Sequence, residues 1–115
     1  MFDSFKAMSQ LGPMMAKARE MQAKMAELQQ RLGSLQATGN SGGGMVRATV
    51  NGRLELLNLV FADDVPTDHT LLAEMTLAAV NLAMANARVM VQEEMRKITG
   101  DVDLSSLQQM LGSGS

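Results

Sequence analysis

The sequence predicts an α+β protein, an α-β-β-β-α protomer with a small antiparallel sheet between two long helices. Two observations lead there. The stretch Thr38–Phe61, TGNSGGGMVRATVNGRLELLNLVF, is the only one with strand-type residues in alternation, and long helical periodicity flanks it on both sides. Within it, Asn51-Gly52 separates two strand-like runs, a pair suited to the positive φ of a type I′ hairpin turn.

Residues 1–10, with Phe2 and Phe5, read as a flexible lead-in. Gly12-Pro13 then marks a helix start, because proline is tolerated in a first turn where its missing N–H has no partner to lose. From there Leu11, Met14, Ala18, Met21, Met25, Leu28, Leu32 and Leu35 alternate spacings of three and four, the pattern of a coiled-coil seam. With Leu11, Ala18, Met25 and Leu32 at a positions, Lys17, Lys24 and Arg31 fall at g and Met15, Gln22 and Gln29 at e. Such a basic edge facing a neutral one specifies no parallel homodimer by ion pairing.

Gly33 and the Gly39–Gly44 cluster end the helix and open the sheet, with Gln36–Asn40 as a first strand. GNSGGG lacks the Lys-Ser/Thr of a phosphate-binding loop and leads into a strand rather than a helix, so it reads as a turn. A two-residue loop at Asn51-Gly52 would pair Val50 with Arg53, Ala48 with Glu55 and Val46 with Leu57. Val46, Ala48, Val50, Leu57, Leu59 and Phe61 then share one face, and Met45, Leu54, Leu56 and Val60 the other. A sheet this small with apolar residues on both faces calls for more cover than one chain supplies.

ADDVPTDHT closes on a helix N-terminus that Thr67 or Asp68 can cap. The second helix is expected over about His69–Thr99, ended by Gly100. Its first half is apolar on nearly every side: Leu71, Met75, Ala78, Leu82 and Val89 form one stripe, and Leu72, Val80, Met84 and Val91 extend it round the cylinder. A helix apolar all round is buried all round, which in so small a chain implies a second copy. Val46, Leu57, Leu59, Val80, Leu82 and Met84 are the candidate dimer interface, and the alanines at 78, 79, 83, 85 and 87 allow a neighbouring helix or sheet to approach closely. Asp103–Leu111 reads as a short amphipathic helical turn in a tail over 101–115. The domain organisation expected is thus 1–10, 11–100 and 101–115.

Composition excludes several functions. Without cysteine there are no disulfides or thiolate zinc sites, and His69 is the only histidine. It reads as a solvated helix-start residue, no serine nucleophile motif is present, and an enzyme, a cofactor, a metal or a small-molecule substrate is not expected. The N-terminus is too polar for a signal peptide, and Glu74, Asn81, Asn86 and Arg88 interrupt the best apolar run, so a cytoplasmic protein without a membrane partner is expected.

The net charge is −2, but residues 1–36 hold five basic and three acidic side chains against five and nine in the remainder. Anion-binding capacity therefore concentrates in the first helix, where Lys17, Lys24 and Arg31 recur every seventh residue with Arg19 one position round. Such a stripe can track duplex phosphates. Equally, Glu20–Lys24 and Glu27–Arg31 are i,i+4 pairs of an ordinary solvated face, and spacing alone favours that plainer reading. No aromatic residues interleave the basic ones, so base stacking on single strands is not expected.

The order of features adds to this. A Met/Gln-rich heptad helix precedes LGSLQATGNSGGGMVRATVNG, then LAAVNLAMANA and EEMRKITG. Over roughly residues 11–100 this resembles the bacterial YbaB/EbfC family of nucleoid-associated proteins, most specifically in TGxSGGGxVxxxxNG (Thr38–Gly52) and AAVNxA (Ala78–Ala83). Arg53-Leu54 departs from the small or polar residues common after the turn. The resemblance implies an intertwined homodimer with projecting helices that binds double-stranded DNA, mainly by backbone contacts, and shapes the nucleoid. It moves the DNA reading of Lys17, Arg19, Lys24 and Arg31 ahead of the plainer one. From a different class, the alternative is a dimeric adaptor whose methionine-rich seam captures another protein.

Overall fold

The structure, a computed structural model, describes residues 2–100, with side-chain environments from Ser9 onward. The amphipathic turn expected at Asp103–Leu111 lies outside those residues. Helix α1 (Phe2–Arg31) is followed by strands β1 (Gln36–Ser41), β2 (Val46–Asn51) and β3 (Leu56–Phe61) and by helix α2 (His69–Ile98). By contact the chain divides into a unit of Gln30–Glu94 and a second unit that includes α1 up to Gln29 and α2 from Met95.

Helix α1 corrects the expected start. It begins at Phe2, and Pro13 lies inside it. Proline deletes one helical hydrogen bond, whereas Lys6-Ala7-Met8 upstream are good helix formers that carry the helix through. The apolar seam is graded along it: Leu11, Met14, Met15 and Ala18 are exposed, Met21 and Met25 half-buried, and Leu28 buried.

In the Gln30–Glu94 unit the sheet runs β1-β2-β3, antiparallel throughout. Central strand β2 supplies the core with Val46, Ala48 and Val50, which meet Ala79, Ala83 and Ala87 of α2. These alanines recur every fourth residue, so they form one stripe along the helix. Their small side chains let the backbones meet, and a Cβ at Gly39 would lie 2.3 Å from the Ala83 nitrogen and 2.6 Å from the Ala79 oxygen. Ser41 Oγ donates to the Met75 carbonyl, and Asn86 Nδ2 to the Thr38 carbonyl at 2.8 Å, fixing β1 to α2 on either side of Gly39. Asp68 caps α2, as anticipated: its Oδ1 accepts from the Thr70 N–H at 3.2 Å.

The hairpin differs from its sequence signature. Asn51 ends β2 and pairs with Glu55, whose carbonyl accepts the Asn51 N–H at 3.1 Å. The loop is Gly52-Arg53-Leu54, and the residue with positive φ is Leu54 (62°), not Asn51 or Gly52. Three-residue loops of this kind end on a left-handed residue. Register follows: Val46 faces Phe61, Ala48 faces Leu59 and Val50 faces Leu56, with an irregularity between Thr49 and Val50.

The cause is the Asn51 side chain, buried and fully bonded. Its Oδ1 accepts from the N–H groups of Arg53 and Glu55, both at 3.0 Å, and its Nδ2 donates to Glu55 Oε1 at 2.9 Å and to the Gly33 carbonyl at 3.4 Å. A side-chain acceptor that captures the N–H two residues on competes with the backbone turn. Gly52 is glycine for proximity, since its N–H is shared between the Leu32 and Leu35 carbonyls and a Cβ there would lie 2.8 Å from the Leu32 oxygen.

A two-residue type I′ turn accepts aspartate readily, whereas this network does not, because Asn51→Asp places a second carboxylate against Glu55. Asn51→Asp is expected to lower unfolding free energy by about 2 kcal/mol, the scale of a buried polar group deprived of its partner. Urea denaturation measures it, and native stability in the variant would overturn the role given to Nδ2.

Candidate nucleic-acid interface

Lys17, Arg19 and Lys24 are all exposed on α1. Lys17 and Lys24 lie two helical turns apart, about 10.5 Å along the axis. Lys24 reaches Glu20 Oε1 at 3.2 Å, with both side chains more than half exposed, a contact worth a few tenths of a kcal/mol that solvent and salt weaken. Lys17 and Arg19 have no carboxylate partner among the described residues.

Arg31 stands apart. Its Nη2 donates to Glu94 Oε2 at 3.4 Å, and the Glu94 side chain is only 21% exposed. The i,i+4 pair of Arg31 with Glu27 is not formed; Arg31 joins the end of α1 to α2 within the Gln30–Glu94 unit. It is the stripe residue least free to meet a phosphate. Further exposed cations are Arg47 on β2 and Arg88, Arg96 and Lys97 on α2.

The candidate dimer residues divide. Val46 is wholly enclosed by the chain's own sheet and helix, so it belongs to the protomer core and lines no outer face. Leu59, Val80 and Met84 are partly buried against that core, while Leu57 and Leu82 are exposed. One of them, Val80, lines an apolar groove of about 530 Å³ together with Phe61, His69, Leu72, Ala73, Thr76 and Leu77. Leu77 at its edge is 62% exposed. Of the groove's residues on α2, the interface read from the sequence includes Val80 but not Leu77, whose exposure depends on which stripe of α2 the sheet takes.

Among the described residues no group of three His, Cys, Asp or Glu side chains is placed to hold a metal ion. Helix α2 is long and apolar enough to cross a membrane by length and composition, with a mean hydropathy of 1.2 over eighteen residues. The interruptions expected at Glu74, Asn81, Asn86 and Arg88 do not bring it below that composition. Its Ala79-Ala83-Ala87 stripe is nonetheless packed on the chain's own sheet, as in a core helix.

Comparison with known proteins bears on the family and the fold. A nucleoid-associated protein of Chlorobium chlorochromatii is 39% identical over 94 residues, spanning 82% of this chain and 85% of that protein. One from Caldanaerobacter subterraneus subsp. tengcongensis is 47% identical over 75 residues, spanning 60% and 64%. The crystal structure of an uncharacterised Helicobacter pylori protein superposes with a TM-score of 0.52 over 71% of this chain and 93% of that one, at 24% identity, which speaks to the fold alone. The model of the YbaB/EbfC DNA-binding family matches residues 8–102, and the chain belongs to that family of DNA-binding proteins.

Proposed function

We propose that the protein binds double-stranded DNA as a homodimer, mainly through phosphate contacts made by α1, and so affects nucleoid organisation and gene expression at the cytoplasmic nucleoid. The observation that carries this reading is the set of exposed cations on α1, Lys17 and Lys24 along one edge and Arg19 on another, in a chain of a DNA-binding family. Its chemistry is positional and electrostatic: ammonium and guanidinium groups replace the counterions of the duplex, and the gain is the entropy of their release. Neither a catalytic step nor a cofactor enters this reading. A gel-shift titration against salt tests it, because phosphate binding weakens steeply as salt rises. Native protein that leaves duplex DNA unshifted even at low salt would overturn it.

Leu57, Leu77 and Leu82 support the homodimer. They are large apolar side chains left in solvent, Leu77 at the rim of the groove, and a second copy covering them removes that area from water at roughly 25 cal/mol per Å². Leu82→Asp is expected to halve the mass seen in sedimentation equilibrium at micromolar concentration, since an unpaired charge in an interface costs several kcal/mol. A Leu82→Asp protein of native mass would place the interface elsewhere.

The adaptor reading retains one supporting observation. Leu11, Met14 and Met15 of the α1 seam are each more than half exposed, with Met14 at 67%. Flexible thioether side chains suit an adaptable protein contact. A salt-insensitive complex with another protein, formed without DNA, is the result that would favour it.

A further inference from the structure

The two faces of the sheet are unlike. Ala37, Gly39, Val46, Ala48, Val50 and Leu59 turn toward α2 or are packed in its core. Across the other face the register sets Thr38, Thr49 and Asn58 in one row and Asn40, Arg47 and Val60 in the next. Rows two residues apart along a strand are separated by roughly 7 Å, and adjacent strands by about 4.8 Å. All six side chains are exposed except Thr49, which is half-buried.

In a chain with twelve acidic residues, none of the three strands carries one. Glu55, in the hairpin, is held by Asn51 Nδ2. Arg47 at the centre has no carboxylate partner among the described residues. Apolar docking is poorly served here, since Val60 is the one large hydrophobe of the two rows. A phosphate track is poorly served as well, with a single cation. What the rows do hold is a guanidinium flanked by amides and hydroxyls. Those groups match base edges in the major groove: arginine pairs bidentately with guanine O6 and N7, asparagine with adenine N6 and N7, and threonine meets any of them or the thymine methyl. The β1–β2 pair, which carries Thr38, Asn40, Arg47 and Thr49, spans about 10 Å with its backbones, and a major groove about 12 Å wide admits such a two-stranded ribbon; β-strands do serve as groove readers.

We propose that this outer sheet face, centred on Arg47, lies against the major groove of duplex DNA and reads base edges. The inference rests on the DNA-binding reading above and divides the labour: the α1 stripe supplies affinity and the sheet supplies discrimination.

The test is selection from a randomised duplex pool, followed by affinity on the selected duplex and on its scrambled counterpart, for the native protein and for Arg47→Lys. Lysine keeps the charge but loses the planar fork, and at an exposed position the fold is undisturbed, which a thermal melt checks. Native protein is expected to enrich a short motif and to prefer it about tenfold or more, the scale of one bidentate base contact. Arg47→Lys is expected to bind the scrambled duplex with native affinity and the selected one no better. Native protein that shifts duplexes but enriches no motif overturns the sheet-face inference and leaves the helix stripe standing, as does unchanged discrimination in Arg47→Lys. If Arg47→Gln flattens the salt dependence equally on every sequence while Arg47→Lys loses nothing, the face is a phosphate contact and base reading is wrong. Failure of the native protein to bind any duplex removes both readings.

Discussion

Gly39→Ala is expected to lower the melting temperature by roughly 12 °C or more, the equivalent of about 3 kcal/mol in a domain of this size. A Cβ at that position meets backbone on three sides, the Ala83 nitrogen at 2.3 Å, the Ala79 oxygen at 2.6 Å and the Leu82 carbonyl carbon at 2.8 Å. No rotamer change relieves it. Either α2 lifts from the sheet, opening space around Val46, Val50 and the alanine stripe, or β1 detaches and forfeits the Ser41 and Asn86 hydrogen bonds. Gly12→Ala is the companion measurement, since nothing lies within 4 Å of a Cβ there and inside a helix alanine is favoured by about 1 kcal/mol. The two substitutions therefore have opposite signs by calorimetry. A Gly39→Ala protein that melts with the native one would mean that strand and helix are not in backbone contact.

The second large effect concerns DNA. Replacing Lys17, Arg19 and Lys24 together with glutamine is expected to preserve helix content, because the propensities are close, and to flatten the plot of log affinity against log salt. Each phosphate contact contributes a slope of about 0.9, so six lost contacts in a dimer reduce it by up to about 5. The slope discriminates better than affinity does, because a more acidic protein binds more weakly through long-range repulsion alone. Arg31→Gln is to be read separately. Its partner is Glu94, so its expected effect is on thermal stability, with the salt slope unchanged. A triple variant that stays dimeric and keeps the native slope would assign the stripe to solvent and move the contacts to Arg88, Arg96 and Lys97.

Much of the fold was legible in the residues because its strongest signals are periodic. The span of α2, the three strands, the Asp68 cap and the inward face of Val46, Ala48, Val50 and Leu59 all follow from spacing and composition, whereas Leu57, expected with them, is exposed and Leu56 stands opposite Val50. The hairpin register does not. Asn51-Gly52 is a local signal, and it was overridden by a partner distant in sequence, the Gly33 carbonyl, together with the hold of Asn51 on Glu55. The pairing moved by four residues between Val46 and its partner, from Leu57 to Phe61. An even slip conserves side-chain parity, which is why Leu59 and Phe61 still stand opposite Ala48 and Val46 on their face; at Val50, across the irregularity, the slip is three, from Arg53 to Leu56. For the candidate site, the exposure of Lys17 and Arg19 was readable from the heptad, but the diversion of Arg31 to Glu94 was not, since it depends on where two helices end in space. The outer rows around Arg47 are present as simple alternation in QATGNS and VRATVN, but alternation alone does not say that this face stays uncovered by α2.

The alanine stripe also fixes an angle. Side chains on a helix are spread around the full circle, about 100° per residue, and Gly39 leaves room for nothing larger than the stripe it meets. Turning α2 one residue either way would present Leu82 or Met84 to β1 in place of Ala83. The azimuth of the helix is thus keyed by backbone contact, with a single permitted setting and no low-energy neighbour. That setting determines where Leu77 and Leu82 point, so the orientation of any second copy docked there is decided inside the protomer, on the side of the helix that the partner never touches.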